Sequence, residues 1–267
     1  MKTTRLENAI LRLDAMRTGV AGTSLRLDSR CLTLVTVVYL VCMLSVPLTA
    51  LGMLIWFAIY PLVGSAVCRI DFGGVFRKSL YVLPFVVLVG VFNPIFDHAE
   101  AFSAWGVAVS RGWVTFASII LRGLLSVQAL LVLIEAVGFT GLCRGLARLG
   151  MPSYLTTQLM MVYRYMSVLL REALSMRRAR EARGFGQKSF KIRDWGPFIG
   201  QLFLRTVDRS DRIHRAMLAR GFNGTLRFFN TAESRWTASD TAYLAAWTAI
   251  LVAMRIFDVS SLFTHIA

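Results

Sequence analysis

The sequence predicts an all-α, polytopic membrane protein of about five transmembrane helices, with a cytoplasmic pair of long amphipathic coupling helices between the fourth and the fifth. Three observations lead there. Of the 267 residues, 56% are hydrophobic, well above an ordinary globular domain. These residues fall into uninterrupted runs. The formal net charge is +15, from 30 Lys and Arg against 15 Asp and Glu, and it is gathered in a few segments, so its placement reports orientation.

The opening thirty residues, MKTTRLENAILRLDAMRTGVAGTSLRLDSR, are charged throughout and have no apolar core. No cleaved leader is expected. A membrane crossing needs roughly 20 apolar residues wound as a helix, because backbone polar groups find no partner in hydrocarbon. Expected spans run from about 31 to 46, 48 to 67, 79 to 96, 112 to 137 and 241 to 257. Pro47 joins the first two in a short hairpin. The predicted organisation is therefore 1–137 for the leading segment and four spans, 138–240 for the cytoplasmic coupling region, and 241–267 for the last span and a short outer tail.

Charge tests this layout. Lys2, Arg5, Arg12, Arg17, Arg26 and Arg30 precede the first span, and Arg69, Arg77 and Lys78 follow the second. After the third span come Asp97, His98 and Glu100, with Arg111 only at the far end. The N-terminus and residues 138–240 are expected in the cytoplasm of a cell whose inner (plasma) membrane holds the chain. Residues 171–235 alone hold 15 Lys and Arg against 6 Asp and Glu. Such a block by itself is an orientation signal or a contact with anionic headgroups. It comes with no groove-reading module, so nucleic acid is not expected as a partner.

Inside the coupling region, LGMP (149–152) reads as a helix stop at Gly150 followed by a start at Pro152. Leu155, Leu159, Val162, Met166, Leu169, Ala173 and Met176 then recur at alternating steps of four and three, an apolar stripe on one helix face. The same steps continue to Arg180 and Arg183, and Gly184 ends the helix. Gly196 and Pro197 restart the chain. Ile199, Phe203, Thr206, Ser210, Ile213 and Met217 repeat the pattern, which leads to Arg220 and Gly221.

The two ends also match as text: RAREARGFG (178–186) returns as RAMLARGFN (215–223). Taken singly, Arg before Gly at a helix end is ordinary capping and dipole chemistry. The second copy asks for more. Ala182 and Ala219 allow close approach, Gly184 and Gly221 allow a sharp exit, and Arg183 and Arg220 each offer a planar fork suited to a carboxylate. Two equivalent plugs imply two equivalent sockets.

These twin segments, with the five-span layout, resemble the transmembrane T component of energy-coupling-factor (ECF) transporters, ABC-type importers of vitamins and transition-metal ions. RLDSR (26–30) is similar to the family's Leu-Asp-Pro-Arg opening, with Ser29 in place of Pro, and FNPIF (92–96) is similar to its Asn-Pro segment. LGMP and YRY (163–165) fall where that family has them, and the opening and third span look most like the cobalt-type CbiQ branch. The resemblance implies a non-catalytic subunit. It further implies that Arg183 and Arg220 seat in grooves on two cytoplasmic ABC ATPase subunits, and that a membrane-embedded substrate-binding S subunit captures the cargo, cobalt or another micronutrient. Any ATP belongs to those partners. GFGQKS (184–189) has the wrong spacing for a phosphate-cradling loop.

Other candidates are fewer. Arg122 and Glu135 lie within the fourth span, too far apart to pair on one helix, so partners on other helices or a snorkelling position are expected. Asn93-Pro94 should kink the third span, either as plain architecture or to shape a subunit contact. Met160, Met161, Tyr163, Tyr165 and Met166 read either as ordinary buried residues or as an adaptable surface on the coupling helix for a substrate-capturing partner. Cys31, Cys42, Cys68 and Cys143 show no redox or ligand spacing, and His98, His214 and His265 are scattered, so neither a metal site nor a cofactor is expected. Two alternatives differ in class. A self-contained ABC permease is one, since EARG (181–184) faintly matches its docking loop. An intramembrane enzyme is the other, and it lacks an assembled nucleophile, base or metal set.

Overall fold

A computed structural model describes residues 27–47, 51–96, 100–104, 107–184, 192–224 and 236–256. Its helices, in chain order, are α1 (Ser29–Leu44), α2 (Leu51–Phe57), α3 (Ile59–Val67), α4 (Phe72–Ser79), α5 (Leu83–Gly90), α6 (Phe92–Phe96), α7 (Arg111–Arg148), α8 (Ser153–Arg183), α9 (Ile192–Leu218) and α10 (Ala238–Ile256). A 3-10 turn, Leu80–Val82, links α4 to α5. The helical class is the expected one. One addition is a short antiparallel hairpin, β1 (Glu100–Ala104) and β2 (Val107–Ser110), in which Phe102 pairs with Val109. Backbone contacts divide the chain into two compact units. One comprises residues 20–145 and 234–267, and the other includes 146–233.

The first unit is a bundle of five legs that alternate in direction, as cross-chain contacts establish pair by pair. Along α1, Tyr39 reaches Phe57 and Thr36 reaches Tyr60, so the α2–α3 leg runs opposite to it. Arg122 of α7 meets the end of α1 at Leu44 and Val46, whereas Gly145 lies against Ser29 at its start. Hence α7 also opposes α1. The α4–α5 leg opposes α7 in turn, with Lys78 beside Glu135, Val86 against Gly123 and Gly90 against Phe116. Finally α10 runs parallel to α1, with Asp240 at Asp28 and Arg255 at Ser45.

Prolines explain why two legs are broken. Pro61 has no amide to give the Phe57 carbonyl one turn back, and the helix interrupts at Ala58 between α2 and α3. The freed carbonyl accepts from the buried Tyr39 hydroxyl at 3.2 Å. Pro84 likewise deprives Leu80, and Leu80–Val82 tightens into the 3-10 turn. The kink expected at Asn93-Pro94 appears as a break at Val91, beside Gly90, whose carbonyl Pro94 leaves unserved.

The bundle core forms where α1 meets α2, α3 and α10. Tyr39 stacks on Tyr60 at 4.3 Å, and Trp247 meets Tyr60 edge-on at 5.0 Å. Val35, Met43, Leu54, Phe57 and Leu251 fill the space around them, each almost free of solvent. In lipid it is close van der Waals packing of such side chains, and not their removal from water, that holds the helices together. On the outside Val41, Ile55, Phe85, Leu88 and Ile134 are exposed, an apolar coat that suits lipid contact and not water. Two stretches, Phe72–Pro94 and Arg111–Arg148, are long and apolar enough to cross a membrane, and Ser29–Leu44 and Leu51–Val67 are apolar but shorter.

Both ends of the α1–α10 pair are tied. Asp28 caps α1 by accepting from the Arg30 amide, and its own amide donates to Asp240 Oδ1 at 2.9 Å. The second oxygen of Asp240 accepts from the Thr237 amide, and Cys31 Sγ donates to the Asp240 carbonyl. Within RLDSR, then, the aspartate side chain makes the helix cap and Ser29 begins the helix. At the other end, Arg122 donates to the Val46 carbonyl at 2.7 Å and Arg255 to the Ser45 carbonyl at 3.2 Å. Two guanidiniums thus serve the unsatisfied carbonyls where α1 stops short of Pro47. The partners expected for Arg122 and Glu135 are therefore on other helices, α1 for one and α4 for the other.

Candidate functional site

The second unit is dominated by α8 and α9, of 31 and 27 residues. At 1.5 Å per residue they extend about 46 and 40 Å. Pro152 precedes the first turn of α8, and Gly150 ends the preceding helix with φ of 105°. The stop and start expected at LGMP are both present.

Arg183 is the last residue of α8 and is exposed, as is Ala182. Gly184 follows as the C-cap, its amide donating to the Glu181 carbonyl. At the second copy Ala219, Arg220 and Gly221 are exposed and lie just past α9. The Gly221 amide donates to the Leu218 carbonyl and the Phe222 amide to the Met217 carbonyl, a stop that folds the chain back over its last turn. The two copies differ in how they turn. Gly221 adopts φ of 78°, which glycine alone accepts freely, while Gly184 has φ of −84°. Phe222 folds in toward the helix pair, and its counterpart Phe185 lies outside the described residues. The two arginines do not come together; each occupies the end of its own helix.

Between the helices lies a groove of about 660 Å³. Met161, Met166 and Leu169 face it from α8, and Ile213, Met217 and Phe222 from the α9 side. The apolar stripes read from spacing meet here in part. Val162 and Met166 remain substantially exposed, and Ile199 and Phe203 stand clear of the groove on α9. The buried residues of α8 are Thr156, Thr157, Ser167 and Leu174, of which Thr157 also borders the groove. Two of their hydroxyls bond back one turn, Thr156 to the Pro152 carbonyl and Ser167 to the Arg164 carbonyl. A search for apolar periodicity passes over such residues.

One residue that spacing did not single out joins the two helices. Glu172, on α8, accepts from Arg205 Nη1 of α9 at 2.7 Å, and its other oxygen lies 4.0 Å from Arg209. A signal existed, since Glu172 is one of few acids in an arginine-rich stretch. On α8 itself, Arg177 pairs with Glu181 one turn on, at 2.8 Å.

Among the described residues no three His, Cys, Asp or Glu side chains gather into a set able to hold a metal ion. His214 borders the groove, while His98 and His265 lie outside the described residues. All four cysteines are free thiols, with Cys31, Cys68 and Cys143 buried and Cys42 half-buried.

Comparison with known proteins adds a family. The model of the family described as cobalt transport protein, CbiQ, matches residues 23–229, more than half of the chain. Two uncharacterized proteins of Methanocaldococcus jannaschii are also similar. MJ1571 is 30% identical over 114 residues, 42% of this chain and 38% of the relative. MJ1089 is 29% identical over 87 residues, 32% of each chain. The matched stretch thus spans less than two fifths of the length of these curated relatives.

Proposed function

The chain belongs to the CbiQ cobalt transport protein family and is thus a membrane protein of the cobalt-transport type, and from that premise we propose that it is the transmembrane coupling (T) subunit of an ECF-type importer. Five legs cross the inner membrane, with the N-terminus and the α8–α9 unit in the cytoplasm. Two ABC ATPase subunits bind and hydrolyse ATP, and a membrane-embedded S subunit binds cobalt or another micronutrient. This chain performs no catalysis. It carries force between them.

The observation that carries this reading is the doubled Ala-Arg-Gly end, its alanine and arginine exposed in both copies. Capping alone explains an arginine at each helix end, but it does not call for the matching alanine and phenylalanine around both. Each guanidinium presents five donors in a fixed plane, so it grips an acidic notch on a partner with geometric specificity as well as charge. Alternation of the five legs is consistent with this reading, since it sets the starts of α1 and α10 on one side together with the basic segments near them. The apolar groove and the exposed α9 face supply the adaptable surface that a substrate-capturing partner needs.

The test is co-purification of the chain with candidate ATPase and S subunits, followed by uptake measurements in cells. Arg183→Ala or Arg220→Ala weakens ATPase association and lowers uptake, and the double variant nearly abolishes both. Full uptake by the double variant overturns the docking role.

A further inference from the structure

We propose that Glu172 is a positioning residue: it pins α8 to α9 and thereby sets the separation of the two docking arginines. The proposal rests on the docking reading above. Its physical basis is the charge of the helix pair. Arg171, Arg177, Arg178, Arg180 and Arg183 crowd the second half of α8, and Arg205, Arg209, Arg212 and Arg215 crowd α9. Arginines outnumber acids on both helices even with Glu181 on α8 and Asp208 and Asp211 on α9, so an acid placed between the helices offsets their repulsion. Among the described residues Glu172 forms the ion pair that spans them, with its two oxygens directed at guanidiniums one helical turn apart on α9.

Apolar packing between the helices is incomplete. The stripes border an open groove, and Val162 and Met166 are 54% and 41% exposed, although Leu169, Leu170 and Ala173 near Glu172 are half-buried. Arg209, which Glu172 faces, itself borders the groove. The mutual position of the two helices therefore depends on the carboxylate as well as on packing.

Lever geometry gives the clasp its importance. Arg183 lies 11 residues beyond Glu172, and Arg220 lies 15 residues beyond Arg205. At helical rise these arms are about 16 and 22 Å. A rotation of about 10° at the clasp moves the longer tip by roughly 4 Å, more than the reach of a hydrogen bond. Two sockets on a closing ATPase pair accept both tips only if the clasp holds their spacing.

The experiment places nitroxide labels at the exposed positions 179 and 216, close to the tips, in the full chain reconstituted in nanodiscs. Glu172→Arg shifts or broadens the label-to-label distance by about 5 Å or more, and uptake by the assembled transporter falls at least tenfold. Combining it with Arg205→Glu restores both. Glu172→Gln, which keeps the shape and removes the charge, gives an intermediate distribution and reports even if the reversed charge does not fold. An unchanged distance in Glu172→Arg and Glu172→Gln overturns the proposal. A changed distance with undiminished ATPase binding and uptake overturns the functional part, and it is separable from failure of the docking reading, which shows instead as full activity of the Arg183 and Arg220 variants with the distance unaltered.

Discussion

The two units hold their helices together by opposite means. In the bundle, α1 and α10 are fastened at both ends by bonds to backbone groups, and at the Asp28–Asp240 end those bonds are shut away from water. In the coupling unit, α8 and α9 meet across an open groove and an ion pair whose Arg205 side chain is half exposed. A buried, hydrogen-bonded polar group is expensive to disturb, since loss of its partner leaves it unsatisfied. Exposed ion pairs contribute about 0 to 1 kcal/mol and re-form readily. The contrast teaches where stiffness and motion are built. One unit is tied by buried bonds, and the other, on the function proposed above, is the part that moves and takes its geometry from charge.

Substitutions that separate folding from transport sharpen this contrast. The largest loss of stability is expected for Asp240→Ala. It removes the acceptor for the buried Asp28 amide and the Thr237 cap together, and lowers stability by about 3 kcal/mol. Detergent-solubilised chain should then show a clearly lower midpoint in a fluorescence-detected thermal shift; an unchanged midpoint would break the comparison. Gly138→Ala comes next. Gly138 has φ of 69° and ψ of 161° inside α7, a region essentially closed to other residues, and strain there costs about 1 to 3 kcal/mol. Arg122→Ala uncaps the end of α1 and is expected to cost about 1 kcal/mol, read by the same assay. Smallest of all is the effect of Arg183→Ala and Arg220→Ala on abundance, under about 0.5 kcal/mol as for other surface changes, although the pair silences uptake. Quantitative immunoblots beside the transport assay decide it.

Much of this was legible because helices announce themselves locally. Apolar runs marked the legs, Gly150 with Pro152 marked the joint before α8, and the repeated Ala-Arg-Gly marked the two helix ends. What stayed hidden depends on residues distant in sequence. Nothing around Pro61 says that the Tyr39 hydroxyl will serve the orphaned Phe57 carbonyl, and nothing around Asp240 says that its oxygen reaches Asp28, 212 residues away. The buried hydroxyl residues of α8 escaped for another reason: hydropathy counts them as polar, yet Thr156 and Ser167 satisfy their hydroxyls on carbonyls one turn back and pack as small side chains. The repeat itself held a difference that text conceals. Identical letters end the two helices, but one glycine turns left-handed and the other does not.

The parallel pairing of the first and last legs has a consequence for how the molecule is made. As the polypeptide is synthesised, α1 emerges some two hundred residues before α10 exists, and its Asp28 amide waits for the acceptor that α10 brings. Completion of the bundle is thus coupled to the arrival of α10. A chain that stops before residue 238 lacks the latch on its first helix.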